Sequence, residues 1–153
     1  MSQIDEMLKL YRYNIYNNEY ICHEDLKYLA ALFSEEIDLS TYLRFEKFSS
    51  KFCWKNYILI IDNMEYPQKL KGLPYLFELL QDNNWPVFNE TIDALMRFDI
   101  EYLIPNIEKY LNQAFEEKDE MWISGICTLL PELFICGKGQ KAELNVKIAF
   151  KSY

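Results

Sequence analysis

The chain has 153 residues and a formal charge of −8; half of its residues are hydrophobic and 16% are aromatic. That is enough chain to bury a core and too much apolar character for a disordered segment. Four glycines and five prolines leave little material for the turns of an all-β fold, so helices are expected.

The first residues, Met1 to Glu6, have neither a basic nor an apolar region of the kind a signal peptide needs. Ile4, Met7, Leu8, Tyr11 and Ile15 fall on one helical face, which predicts a first helix over 3–16, ended by Asn17-Asn18. His23-Glu24-Asp25 supply acidic residues suited to a helix start, and Leu26, Leu29, Ala30 and Phe33 continue a second helix. Asp38 and Ser40 are candidate caps for a third helix reaching about Lys51. Trp54, Tyr57, Ile58 and Ile61 form the stripe of the next, with Tyr66-Pro67 at its end. The run from Tyr57 to Ile61 is far too short to cross a bilayer, so no membrane is expected as partner.

Leu73, Leu76, Phe77 and Leu80 line a further helix, with Pro74 in its opening turn. The polar connector Gln81 to Asn84 precedes Trp85, and Pro86 is expected to start a helix whose face includes Phe88, Ile92 and Leu95. Asn89-Glu90-Thr91 matches a glycosylation sequon, which has no meaning in a cytosolic chain. Asp99 and Glu101 open the following helix, with Leu103, Ile107, Tyr110, Leu111 and Ala114 inward and Pro105 in its first turn. A charged connector, Glu116 to Glu120, leads to a last tryptophan helix through Ile126, Leu129 and Leu133.

Beyond Gly137 the pattern is ambiguous. Leu144, Val146, Ile148 and Phe150 alternate like a strand, but a lone strand has no partner here, so residues 137–153 read as a last helix or a tail. This segment holds four lysines against one glutamate, a net of +3, which leaves −11 on residues 1–136. Such a surface repels phosphate backbones and disfavours nucleic acid as a partner. A basic protein partner suits it better; the plainer reading of the charge is solubility.

Trp54, Trp85 and Trp122 each head an apolar run and recur roughly 30 to 40 residues apart, the size of one helix-pair repeat. Seven residues after each stands an aliphatic residue: Ile61, Ile92, Leu129. At the fourth residue Asn89 breaks the match with Ile58 and Ile126, so the repeat is degenerate. The expected architecture is all-α, a single domain over 1–136 of six to eight helices.

Chemistry-bearing patterns are sparse. Cys22, Cys53, Cys127 and Cys136 show no Cys-x-x-Cys spacing and lie in or beside apolar stretches, which suggests buried reduced thiols and a cytoplasmic location. His23, the one histidine, reads as a helix-start residue, and no metal is expected. Gly137-Lys138-Gly139 lacks phosphate-loop spacing, so no cofactor is expected either. Carboxylate pairs occur at Glu35/Glu36, Glu78/Asp82, Glu116/Glu117 and Asp119/Glu120. Glu78 and Asp82 would share a helix face, and such a pair could serve a hydrolase if an apolar cleft enclosed it. Tyr11, Tyr13, Tyr16, Tyr20 and Tyr28 cannot all face inward from two helices, so some are expected at the surface, where tyrosine favours protein contacts.

The stretch Leu79-Leu80-Gln81-Asp82-Asn83-Asn84-Trp85-Pro86-Val87 resembles the signature of a small bacterial family of unknown function with HEAT-like helix pairs. That pattern also has an acidic residue shortly before a tryptophan in the next pair, matched by Asp119 and Trp122; Ile123 and Ser124 depart from the basic and aromatic residues that follow it there. The resemblance covers about residues 70–134 and implies a HEAT-like α-solenoid without an assigned activity. The connector has a structural meaning of its own: Asp82, Asn83 and Asn84 can satisfy open helix ends, and Trp85 can wedge between pairs. As a functional alternative, Asp82, Asn84, Trp85, Glu116, Glu117, Asp119 and Glu120 form a candidate binding edge. The expected function is a non-enzymatic protein-binding module, with a toxin-neutralising immunity protein as its specific form. The alternatives are a carboxylate-dependent hydrolase and, third, a helical-repeat reader of nucleic acid.

Overall fold

Ser2 starts the first helix, α1 (Gln3–Leu8), through a capping box in which its hydroxyl accepts from the Asp5 amide while the Asp5 carboxylate accepts from the Ser2 amide. In this computed structural model residues 2–35 and 37–135 are described, and the regular structure among them is helical, without a strand. The expected last helix or tail over 137–153, Cys136, and Glu36 of the Glu35/Glu36 pair lie outside the described residues. The chain divides into two compact units, Met1–Tyr75 and Leu76–Tyr153.

In the first unit, α1 stops at Leu8 instead of running to residue 16, and a short 3-10 turn follows at Tyr11–Tyr13. Beyond that turn, asparagines keep the chain out of a helix by taking backbone groups for themselves. The Asn14 side chain accepts from the Tyr16 amide, and Asn18 accepts from the Tyr20 amide. Asn56, fully buried on the far helix, donates to the Ile15 and Asn18 carbonyls at 2.9 Å each. Tyr11, expected inward, is 68% exposed as a result. The second helix, α2 (His23–Phe33), begins at His23 as expected and buries Leu26, Leu29, Ala30 and Phe33. It packs on α3 (Trp54–Asn63), which buries Trp54, Tyr57, Ile58 and Ile61. α3 ends at Asn63, three residues before Tyr66.

The helix expected over 38–51 does not form. Three 3-10 turns, Leu39–Thr41, Phe45–Lys47 and Lys51–Cys53, take its place. Asp38 caps the first, accepting from the Ser40 amide and hydroxyl. Leu39, Leu43 and Phe48 are all buried, and the Leu43-to-Phe48 step is too long for one helical face. Long-range bonds decide the path: the Ser49 amide and hydroxyl both donate to the Tyr16 carbonyl, at 2.9 and 2.8 Å.

In the second unit, α4 (Leu73–Glu78) leads into the unit and α5 (Phe88–Met96) buries Phe88, Ile92 and Leu95. The longest helix, α6 (Ile100–Glu116), puts Leu103, Ile107, Tyr110, Leu111 and Ala114 inward as their spacing requires. Pro105 is its sixth residue, so it lies in the second turn and not the first. The helix continues because Pro105 and Glu101 are both exposed, leaving the orphaned Glu101 carbonyl on the solvent side. The last tryptophan run is two helices, α7 (Glu120–Cys127) and α8 (Leu129–Ile135), broken at Thr128. Pro131 explains the break: it has no amide for the Cys127 carbonyl, and its ring would clash there in a continuous helix. α7 packs on α6, and α8 on α5 and α7. Phe77 and Tyr110 stack with centroids 4.8 Å apart, and Trp122 lies against the same Tyr110 at 6.0 Å.

Candidate functional site

The three tryptophans occupy different places. Trp54 is the first residue of α3 and stacks on Phe45, with centroids 4.7 Å apart. Trp122 is the third residue of α7, only 2% exposed, and its indole N–H donates to the Phe77 carbonyl at 2.9 Å. Trp85 is half-buried in a turn, because α5 starts at Phe88 and not at Pro86. The turn closes on itself: the Trp85 amide donates to the Asp82 carbonyl, and the Phe88 amide to the Trp85 carbonyl, each at 3.1 Å. The Asp82 carboxylate accepts from the Asn84 amide at 2.8 Å, an Asx-type turn. Since α4 ends at Glu78 and i→i+3 turns follow it, Glu78 and Asp82 do not share a helix face as expected.

The second half of the candidate edge is the α6–α7 connector. Glu116, Glu117 and Glu120 are exposed, and Lys118 holds a positive φ of 56° that lets the chain reverse. Glu117 accepts from the Gln113 amide group at 2.9 Å. Asp119 caps α7, accepting from the Trp122 amide at 3.0 Å. Of the seven residues, Asp82 and Asp119 are therefore engaged in shaping the backbone. Asn84, Glu116 and Glu120 are exposed outright. The turn and the connector belong to different stretches of the second unit, and each is hydrogen-bonded within itself.

A feature absent from the sequence reading lies in the first unit. A cleft of about 450 Å³ is lined by Asp5, Leu8, Lys9, Tyr16, Thr41, Tyr42 and Lys47. The Asp5 carboxylate accepts from the Ser2 amide at 3.0 Å, the Ser2 hydroxyl at 2.7 Å and the Tyr42 hydroxyl at 3.1 Å. These bonds, Ser2 first, hold the Asp5 carboxyl below the usual carboxylate range. The Tyr16 hydroxyl donates to the Tyr42 carbonyl at 2.8 Å, and burial pushes its pKa well up. The Lys47 ammonium stands over the Tyr16 ring, 5.8 Å from its centre. Nearby, Arg12 grips Asp25 through two bonds of 2.8 Å and lies over the Tyr13 ring at 5.1 Å. Tyr11, Tyr20 and Tyr28 are exposed, while Tyr13 and Tyr16 are half-buried. Cys53 is buried and Cys127 half-buried, but Cys22, the residue before α2, is exposed, against expectation.

A family model described as a domain of unknown function (DUF5071) matches residues 55–151, more than half of the chain. The chain belongs to this family. The DUF5071 match begins inside α3 and takes in both halves of the candidate edge, reaching beyond the 70–134 span of the sequence resemblance. The cleft residues, from Asp5 to Lys47, precede it. No curated protein and no solved structure matches the chain. No helix among the described residues is long and apolar enough to cross a membrane. The sequence missed the cleft because Lys47 and Thr41 were placed on a helix that does not form. Only the Ser2-to-Asp5 capping-box spacing could have flagged one of its walls.

Proposed function

We propose that this chain is a non-enzymatic binding module for a protein with a basic surface, and within that class a toxin-neutralising immunity protein of the bacterial cytoplasm. One observation carries the reading: the charge is concentrated in the second unit and faces outward. Residues 76–135 hold twelve acidic residues against Arg97, Lys109 and Lys118, a net of −9, and the whole unit carries −6 against −2 for residues 1–75. Glu90, Asp93, Glu101, Glu116, Glu120 and Glu132 are all exposed. Such self-repulsion works against the compact state, whereas a basic partner is steered towards it and relieves it. Short helix pairs stacked in the HEAT-like manner belong to this reading, and the packing of α6 on α7 and of α5 on α8 supports it.

The test is capture from the native host with the full chain and with a Glu116→Lys/Glu117→Lys/Glu120→Lys variant. A basic protein is expected to be retained by the natural chain. Its association rate is expected to fall by about tenfold or more as salt rises, and to collapse with the charge-reversed variant. For the immunity reading, the captured protein is a toxin whose activity the chain suppresses. A retained partner that is acidic, or that binds the reversed variant at the same rate, refutes the proposal.

A further inference from the structure

The cleft of the first unit has a character opposite to that of the chain as a whole. Its charged lining is Lys9 and Lys47 against Asp5, a net positive lining in a chain of −8. Asp5 is already held by three donors from Ser2 and Tyr42, so it acts as the strut that fixes α1 to the Tyr42 segment. Lys9 leans towards Glu6, with 3.8 Å between nitrogen and oxygen and both side chains well exposed. Lys47 differs. Among the described residues no carboxylate lies within ion-pair distance of its ammonium, which meets only the face of Tyr16. The Thr41 hydroxyl on the same lining has no hydrogen-bond partner among the described residues either.

The wall behind these donors is apolar and rigid. Leu8 and Tyr42 are buried to within a tenth of their surface. The Tyr16 ring is pinned by its own hydroxyl bond and by edge contact with Phe48, centroids 4.9 Å apart. A volume of about 450 Å³ lies in the range of small-ligand sites. An ammonium with no carboxylate partner and a hydroxyl with no hydrogen-bond partner among the described residues, both lining a cleft with Leu8, Tyr16 and Tyr42, suit an anionic oxygen pair carried on an apolar body.

We propose that this cleft binds a carboxylate attached to an apolar or aromatic group, with Lys47 and Thr41 holding the carboxylate and Leu8 and Tyr16 holding the apolar part. The carboxylate comes either from a free small acid or from the C-terminus of a polypeptide ending in an apolar residue. The site is independent of the acidic surface of the second unit, and it stands or falls separately.

The experiment is an amide NMR titration of the full chain with 3-phenylpropanoate, with its neutral amide, and with a pentapeptide ending in phenylalanine whose C-terminus is free or amidated. Saturable shifts are expected at the Leu8, Thr41 and Lys47 amides with the acid, the free-terminus peptide, or both; the tighter of the two identifies the source. The neutral forms are expected to bind about two- to fivefold more weakly, as is the acid to Lys47→Gln, the size of one exposed ion pair. Lys27→Gln, on exposed α2 surface, is the matched control and should bind as the natural chain does. Lys47 is exposed, so its substitution leaves the fold intact, and the remaining resonances verify this. No saturable shift with either acid up to about 10 mM overturns the proposal. Equal binding of acid and amide, or an unchanged affinity in Lys47→Gln, overturns it as well.

Discussion

Replacing Gly125 by alanine should unfasten α7 from the segment after α4. A side-chain carbon built on Gly125 meets the Leu80 carbonyl, with its oxygen well inside contact distance and its carbon at 2.9 Å. Ordinary contacts begin near 3.4 Å, so the carbonyl carbon alone demands a shift of about 0.5 Å and the oxygen demands more. Both sides of the clash are backbone, so no side-chain rotation relieves it. The Trp122 indole bond to the Phe77 carbonyl, one turn earlier on α7, sits on the same seam and is stretched by any such shift. Overpacking of this kind costs about 3 kcal/mol at the upper end of its usual range, and alanine returns about 1 kcal/mol in helix propensity. The net loss is about 2 kcal/mol, or a melting temperature lower by roughly 4–8 °C for a chain of this size. Thermal unfolding followed by circular dichroism reads it, with Ser124→Ala on the exposed face of α7 as the control. A Gly125→Ala protein that melts at or above the natural one would show that α7 does not approach this closely and would refute the argument.

Trp122→Phe should lower stability by about 2 kcal/mol in urea titration, since it removes the buried indole bond and leaves a void beside Tyr110. Asp119→Ala should cost about 1 kcal/mol by removing the α7 cap, whereas Glu116→Gln and Glu120→Gln should not lower the urea midpoint; equal losses in all three would contradict the division between shaping and exposed residues. The Arg12 bonds hold the Asp25 carboxyl below its ordinary value, so the folded protein binds fewer protons than the unfolded chain in that range. Its contribution is therefore complete above the unfolded value of about 4 and is lost as pH falls through the folded one. The urea midpoint should drop between pH 5 and pH 3 by less in Asp25→Asn than in the natural protein, and an identical acid slope would rule out Asp25 as a contributor.

Helical patterning was readable where one face could be buried by spacing alone. α2, α3 and α6 carry apolar residues at third and fourth positions, and burial followed that periodicity at Leu29, Ile58, Ile107 and Leu111. The pattern misled where polar side chains compete for the backbone. Asn14, Asn18 and Asn56 hold residues 14–20 in turns, and Ser49 binds the Tyr16 carbonyl across 33 residues of chain. Residues 38–51 have enough leucine and aromatic residues for a helix, but their burial is shared among three short turns. Of the candidate edge, the capping role of Asp119 follows from its place before an apolar run. The turn-forming role of Asp82 follows from Asp-Asn-Asn chemistry, but the displacement of the helix start from Pro86 to Phe88 does not.

The sequence by itself determined the helical class, the inward faces of the longer helices, the acidic excess, and membership of a family of unknown function through residues 55–151. Those properties depend on local spacing and composition, which the linear chain carries in full. Tertiary structure alone decided that Trp54 and Trp122 are buried while Trp85 is not, that Gly125 must stay small, and that Lys47, Thr41 and Tyr16 share one cleft. Each of these depends on contacts between segments far apart in the chain, where a single asparagine or serine bond redirects the backbone and no local pattern records the meeting.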